Sequence, residues 1–180
     1  MKTKDLTQIA LMTALIIVLG MFPGIPILMI PVPIVLQNFG IMLSGILLGG
    51  KKGTIAVLIF MLLVMMGFPF LSGFRGGIAV FVSPTAGYLF AWMLTPMLIA
   101  FINRMIKHYI NCKNNFGPLL ISTLLTSVCF TYLIAILWLS IQSHVSLSAA
   151  FYANALFIPG DVLKAIIAVL LAQRLNKIIK

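Results

Sequence analysis

The chain has 180 residues, of which 62% are hydrophobic and only 8% charged, and its 12 basic and 2 acidic residues give a net charge of +10. Soluble domains carry about a quarter charged residues, so this composition excludes an ordinary soluble domain, a disordered chain and a nucleic-acid-binding protein with a polar surface. Two cysteines are too few for an extracellular disulfide scaffold. The composition predicts an all-α integral membrane protein, embedded in the lipid bilayer as a single domain over residues 1–180.

Six apolar segments are long enough to cross a membrane as helices. A helix that crosses a hydrocarbon core of about 30 Å needs about 20 mostly apolar residues. Prolines and glycines between residues 20 and 33 separate the first two segments, because proline lacks the backbone donor that continues a helix. The predicted spans are residues 5–22, 34–50, 54–71, 84–104, 117–142 and 148–175. We therefore predict a bundle of six transmembrane helices.

The basic residues mark alternate ends of these spans. Ten of the twelve group at one end of the bundle, namely Lys2, Lys4, Lys51, Lys52, Arg104, Lys107, Lys113, Arg174, Lys177 and Lys180. The positive-inside rule identifies that end as cytoplasmic, so both termini are predicted to be cytoplasmic and the protein to be a multi-pass protein of the cell membrane. The opposite loops carry a single charge, Arg75.

The sequence offers little chemistry for catalysis or for a bound metal. Asp5 and Asp161 are its only carboxylates, and no two His, Cys, Asp or Glu residues have ligand spacing. Residues 45–52 match a phosphate-binding loop except at the final Ser or Thr that would hold Mg²⁺, and they end an apolar helix. We interpret this segment as a tight turn with two anchoring lysines, and we predict neither an enzyme nor a cofactor.

Asp161 and Lys164 are the most informative residues because both lie inside the sixth span. If Arg174 marks the cytoplasmic boundary, Lys164 lies about 15 Å and Asp161 about 20 Å above it. Each charge costs roughly 2.5–3.5 kcal/mol in the membrane, and their spacing of three lets them pair on one helix face. Pairing explains how the charges are tolerated. Pro159 and Gly160, which kink the helix just before them, favour a polar pocket that opens to the outside.

Other polar side chains are expected at the same depth in the membrane. They are Gln37, Thr85, Tyr88, Asn154 and, in an outer loop, Arg75. Asn154 precedes Asp161 by two helical turns, and the glycine-rich loop of residues 72–77 is long enough to cover a pocket as a lid. Each residue alone is typical of a helix end or an interhelical hydrogen bond. Together they favour a small, mostly apolar ligand with an amide-like polar head, with or without a carboxylate.

Three motifs follow one another along the chain. They are PVPIVLQ at residues 31–37, SPTAGYL at residues 83–89 and PGDVLK at residues 159–164. In this order and spacing they resemble the BioY family, the biotin-specific substrate-binding (S) components of energy-coupling-factor (ECF) transporters. The family usually has threonine at Val35 and GPTGGY where this chain has SPTAGY, and its outer loop often has only small residues where Arg75 lies.

The resemblance implies capture of biotin at the outer face of a bacterial plasma membrane. A separate membrane coupling protein and two ATPase subunits, which use the ATP, would then drive uptake. It also implies that Ala10 and Ala14 contact the coupling protein, since small residues four apart let helices approach closely. Packing within the bundle itself is the alternative for this pair.

In this interpretation Asp161 accepts a ureido N–H of biotin, while Lys164 keeps Asp161 charged and donates to the ligand. Gln37, Asn154 and Tyr88 complete the polar set, and Arg75 or loop amides meet the carboxylate. Two alternatives stay open. One is an S component for another vitamin, such as thiamine or riboflavin, and the other is a structural or assembly protein in which the charged pair only pins helices together.

Overall fold

The structure is a computed structural model that describes residues 2–22, 35–110 and 115–178. Apart from one bridge between Leu71 and Arg75, these residues form helices, a short 3₁₀ turn and loops. The helices are α1 (Thr3–Met21), α2 (Gln37–Met65), α3 (Ala86–Ile110), α4 (Phe116–Leu124), α5 (Thr131–Ser143), α6 (Leu147–Ala155) and α7 (Ile158–Ile178). The proline-rich first outer loop, most of the PVPIVLQ motif, Lys113 and Lys180 lie outside the described residues.

Gly49 divides α2 into two arms. Its φ of 75° lies in the left-handed region, which glycine enters without steric cost. A Cβ atom at Gly53 would lie only 2.5 Å from the carbonyl oxygen of Ser44, so residues nine apart are in contact. A continuous helix would separate them by about 13 Å along its axis. The chain therefore reverses at Gly49, which confirms the tight turn expected within residues 45–52.

The described residues contain four helical segments that are long and apolar enough to cross a membrane, or five if the bent pair of α6 and α7 counts as one span. The fourth of these, Phe116–Ser143, combines α4, a turn of π type at residues 125–130 and α5. An all-helical architecture with several spans is thus confirmed. The count of six and the cytoplasmic location of the termini stay predictions.

The predicted kink in the last span falls just before Pro159. Helices α6 and α7 meet at an angle of 49°, with Leu156 and Phe157 between them. Pro159 lies in the first turn of α7, where a backbone N–H has no intrahelical partner, so its missing donor costs nothing. The bend leaves Asp161 at the beginning of a new helix.

The two ends of the bundle differ in chemistry. Lys52 forms an ion pair with Asp5 at 2.5 Å, which places the Gly49 turn beside the beginning of α1, as the charge pattern predicts. The polar residues of interest lie at the other end of these elements, near the beginnings of α2, α3 and α7. Between the two ends, fully buried side chains such as Ile16, Ile41 and Phe60 fill the core.

Candidate ligand-binding site

A pocket opens where the beginnings of α2, α3 and α7 meet the loop after α2. It encloses about 610 Å³ of empty space, counting its open mouth. Its walls are mainly apolar and aromatic, formed by Leu71, Leu89, Tyr88, Trp92, Tyr132 and Phe157. A few polar groups converge among these walls, which is the usual composition of a small-molecule site.

An ion pair between Asp161 and Lys164 lies in this pocket. Their charged atoms are 2.8 Å apart, and the side chains are only 7% and 13% exposed. The Tyr132 hydroxyl donates to the second carboxylate oxygen of Asp161 at 2.7 Å. Each carboxylate oxygen therefore accepts one hydrogen bond from the protein. Since an ionised carboxylate offers about four acceptor positions, Asp161 retains capacity to accept from a ligand.

Lys164 joins α7 to the beginning of α2. Besides Asp161, its ammonium donates to the carbonyl oxygen of Val35 at 2.8 Å and to Oδ1 of Asn38 at 3.1 Å. An ammonium group has three N–H donors, so these three acceptors use all of them. The buried cation is thus paired and fully hydrogen-bonded, which is the condition under which a buried charge is tolerated.

Tyr88 and Asn154 form a second polar unit. The Tyr88 hydroxyl donates to Oδ1 of Asn154, and Nδ2 of Asn154 donates to the carbonyl oxygen of Ala150 at 2.8 Å. Tyr88 lines the pocket, whereas Asn154 is 1% exposed and lies behind Tyr88 rather than on the pocket wall. Asn154 therefore fixes the orientation of the Tyr88 ring. Thr85, three residues before Tyr88 in the chain, also lines the pocket.

Gln37 connects three parts of the chain at the pocket edge. Its Nε2 donates to the carbonyl oxygen of Phe70 at 2.8 Å and to that of Ile16 at 3.4 Å. The side chain is 1% exposed, yet it contributes to the pocket lining. Gln37 thus holds the loop after α2 against α1.

The loop that carries Arg75 lies at the pocket, to which it contributes Leu71, Ser72 and Arg75. The backbones of Leu71 and Arg75 exchange two hydrogen bonds, of 3.0 and 3.3 Å, and the loop turns through Phe74 at a φ of 55°. Arg75 Nε donates to the carbonyl oxygen of Ser72 at 3.3 Å, and its exposed side chain lines the pocket.

Asn38 and Tyr132, which bond directly to the Asp161–Lys164 pair, are among the pocket residues that were not predicted from the sequence. Asn38 follows Gln37 directly, so two adjacent polar residues at the beginning of an apolar span could have indicated that both lie at the site. Tyr132 lies near the middle of the predicted span 117–142. Tyrosine is usually found at the membrane interfaces. A tyrosine in the middle of a span is therefore unusual and could have indicated a polar site.

Ala10 and Ala14 lie on the outer surface of α1. Both are exposed, while Ile9 and Thr13 next to them are buried. Their side chains therefore face away from the bundle.

The fold and the pocket define the class of the protein: a helical membrane protein with a small-molecule site at one end of its bundle. The sequence model of the BioY family matches residues 1–180. The biotin transporter BioY of Lactococcus lactis subsp. cremoris is 49% identical over 176 residues, covering 98% of this chain and 92% of that protein. The biotin transporter BioY of Rhizobium etli is 38% identical over 174 residues, covering 96% and 93%.

A solved structure agrees with these relatives. The crystal structure of the S-component for biotin from an ECF-type ABC transporter matches with a TM-score of 0.91 at 48% identity, covering 98% of this chain and 95% of that one. The chain belongs to the BioY family. Its relatives are transporters rather than enzymes, and the resemblance seen in the three sequence motifs is confirmed.

Proposed function

We propose that this chain is the biotin-binding S component of an ECF-type vitamin transporter in a bacterial plasma membrane. It captures biotin at the outer face, and a separate membrane coupling protein with two ATPase subunits delivers the vitamin inward. Membership of the BioY family supports this proposal. The observation that carries it is the Asp161 carboxylate, which Lys164 and Tyr132 hold in an otherwise largely apolar pocket.

The polar groups of the pocket complement the ureido ring of biotin, which has two N–H donors and one carbonyl acceptor. The remaining acceptor positions of Asp161 receive a ureido N–H, and such a charge-assisted bond contributes roughly 1.5–3 kcal/mol. Because Asn38 uses Oδ1 to accept from Lys164, its other polar atom is the donor Nδ2. That donor suits the ureido carbonyl. Lys164 balances the charge of Asp161. Its ammonium already makes three hydrogen bonds, so it would donate to the ligand only by giving up one of them.

The remaining parts of biotin match the walls and the mouth. Its apolar thiophane ring and valeryl chain pack against Trp92, Leu89 and Phe157. Its carboxylate lies toward the mouth, where Arg75 supplies a cation and Thr85 a hydroxyl. Gln37 and Asn154 act indirectly in this arrangement, through the loop after α2 and through Tyr88.

We also propose that the chain crosses the membrane six times with both termini in the cytoplasm. Because the chain reverses at Gly49, we count the two arms of α2 as two crossings. With α1, α3, the segment Phe116–Ser143 and the α6–α7 pair, the total is six. An even number of crossings brings both termini to one side, and the basic residues favour the cytoplasmic side.

The outer face of α1 is the proposed contact for the coupling protein. Ala10 and Ala14 are exposed there, one helical turn apart. Two small side chains at this spacing create a shallow groove into which a second helix can pack closely.

The three hydrogen bonds of Lys164 are also compatible with the alternative of a structural protein, in which the charged pair only holds helices together. Calorimetric titration of the purified, ligand-stripped protein in detergent with biotin, thiamine and riboflavin separates the possibilities. We expect tight binding of biotin alone. Binding of thiamine or riboflavin instead would identify an S component for another vitamin. No heat with any of them, from a folded sample, would identify the structural protein.

A further inference from the structure

The turn at residues 125–130 interrupts the helix that carries Tyr132. Here the backbone N–H and the hydroxyl of Thr131 both donate to the carbonyl oxygen of Thr126, five residues earlier. Turns of this π type are rare, and they occur mostly as single turns within α-helices, frequently at functional sites. This one ends at Phe130, two residues before Tyr132.

The π turn changes the direction in which later side chains point. Successive residues of an α-helix are about 100° apart, so Tyr132, nine residues after the buried Thr123, would lie about 180° from it on an uninterrupted helix. A π turn holds one extra residue, which reduces this angle to about 80°. For Ala135, also buried, the angle from Thr123 falls from about 120° to about 20°. The turn therefore brings the inward face of α5 into line with that of α4.

Tyr132 reaches Asp161 from a different helix than Lys164 does. Lys164 is one turn away on α7 and bonds to Oδ1, while Tyr132 on α5 bonds to Oδ2 at 2.7 Å across 29 residues of sequence. A single bond at one oxygen leaves the carboxylate able to rotate about its Cβ–Cγ bond. Contacts at both oxygens from two helices fix its plane. The Tyr132 ring is itself held edge-on against Tyr88, with centroids 6.2 Å apart.

We propose that Tyr132 is a positioning residue for ligand recognition: it orients the Asp161 carboxylate toward the ureido N–H, and the π turn places it there. This inference rests on the proposed function, in which Asp161 accepts from the ligand. Tyr132 acts through Asp161, so its contribution to affinity depends on the carboxylate being present.

A double-mutant cycle tests this dependence. The variants are Tyr132→Phe, Asp161→Asn and the double variant, and Tyr152→Phe on the exposed face of α6 is the matched control. Biotin affinity is measured by calorimetry for each. We expect Tyr132→Phe to weaken binding roughly tenfold in the wild-type background but less than twofold in the Asp161→Asn background. Tyr152→Phe should leave the affinity unchanged.

The outcomes separate the inference from the proposed function. If the wild-type protein binds biotin and Asp161→Asn weakens binding, but Tyr132→Phe has no effect, the positioning role is wrong and the proposed function stands. The same loss from Tyr132→Phe in both backgrounds would show that Tyr132 supports the fold independently of Asp161, and would overturn the inference. If the wild-type protein does not bind biotin, the proposed function fails first and the inference with it.

Discussion

The ammonium of Lys164 lies 2.8 Å from the carbonyl oxygen of Val35, across 129 residues of sequence. This bond ties the charged turn of α7 to the residue that leads into α2. Because the acceptor is a backbone oxygen, the hydrogen bond does not depend on which side chain is present at position 35. The valine that this chain has in place of the usual threonine of the family therefore leaves the contact intact.

Replacing Lys164 alone should be more harmful than replacing the pair. Lys164→Met leaves Asp161 buried without its cation, and losing one partner of a buried pair costs about 3–5 kcal/mol. The double variant Asp161→Leu/Lys164→Met removes both charges, so we expect it to unfold at a higher temperature than the single variant while failing to bind biotin. Thermal unfolding in detergent measures the difference.

Lys52→Met is the control for this comparison, because Lys52 belongs to the more exposed ion pair with Asp5. Exposed pairs contribute about 0–1 kcal/mol, so its unfolding temperature should change little. A double variant less stable than Lys164→Met would contradict the assigned role of the buried pair.

Arg75 should recognise the carboxylate of the ligand. We expect Arg75→Ala to weaken biotin binding roughly tenfold, or about 1.4 kcal/mol, through loss of a charge-assisted bond. Biotin methyl ester, which lacks the charge, should bind the variant and the wild-type protein equally. An equal loss for both ligands would show that Arg75 instead maintains the shape of the loop.

Gly20 should be intolerant of a side chain. A Cβ atom there would collide with the amide of Gln37 and the carbonyl oxygen of Phe70, which are hydrogen-bonded to each other. We expect Gly20→Ala to destabilise the protein by about 1–3 kcal/mol because the loop after α2 must shift. Gly117→Ala is the control, since no atom lies within 4 Å of its added Cβ. Equal stability of the two variants would refute this packing.

The outer face of α1 should matter for transport and not for capture. Ala10→Trp and Ala14→Trp fill the proposed contact with the coupling protein, so we expect normal biotin binding but loss of uptake when the chain is produced with its partner subunits. Ala149→Trp, at an exposed alanine on α6, provides the control. Full uptake by both α1 variants would exclude this face as the contact.

Intramembrane charges are costly and therefore informative, so the sequence singled out Asp161 and Lys164 as candidates for a site. Asp161, Lys164, Arg75 and Tyr88 all line one pocket, and their contact with a ligand stays a prediction. The spacing of Asp161 and Lys164 predicted their ion pair, but the other hydrogen bonds of these residues could not be predicted. The donors of Gln37 are taken by the backbone oxygens of distant segments, and no pattern of side chains reveals such partners.

Helix phase explains the other omissions. Periodicity arguments assume an uninterrupted helix, and the π turn before Tyr132 rotates every later residue by about 100°. In the last span the chain bends by 49° two to three residues before Pro159, so the periodicity of a straight helix does not carry over from α6 to α7. Asn154, seven residues before Asp161, bonds to Tyr88 and does not line the pocket.

The central claim is that Asp161 binds the ureido ring of biotin, and a matched pair of carboxylate variants tests it most directly. Calorimetric titration with biotin compares Asp161→Asn with Asp5→Asn, which alters the only other carboxylate of the chain, at the opposite end of the bundle. We predict that Asp161→Asn weakens binding at least about tenfold in a folded protein, whereas Asp5→Asn binds as the wild type does. Unchanged affinity of the Asp161→Asn protein would contradict the account.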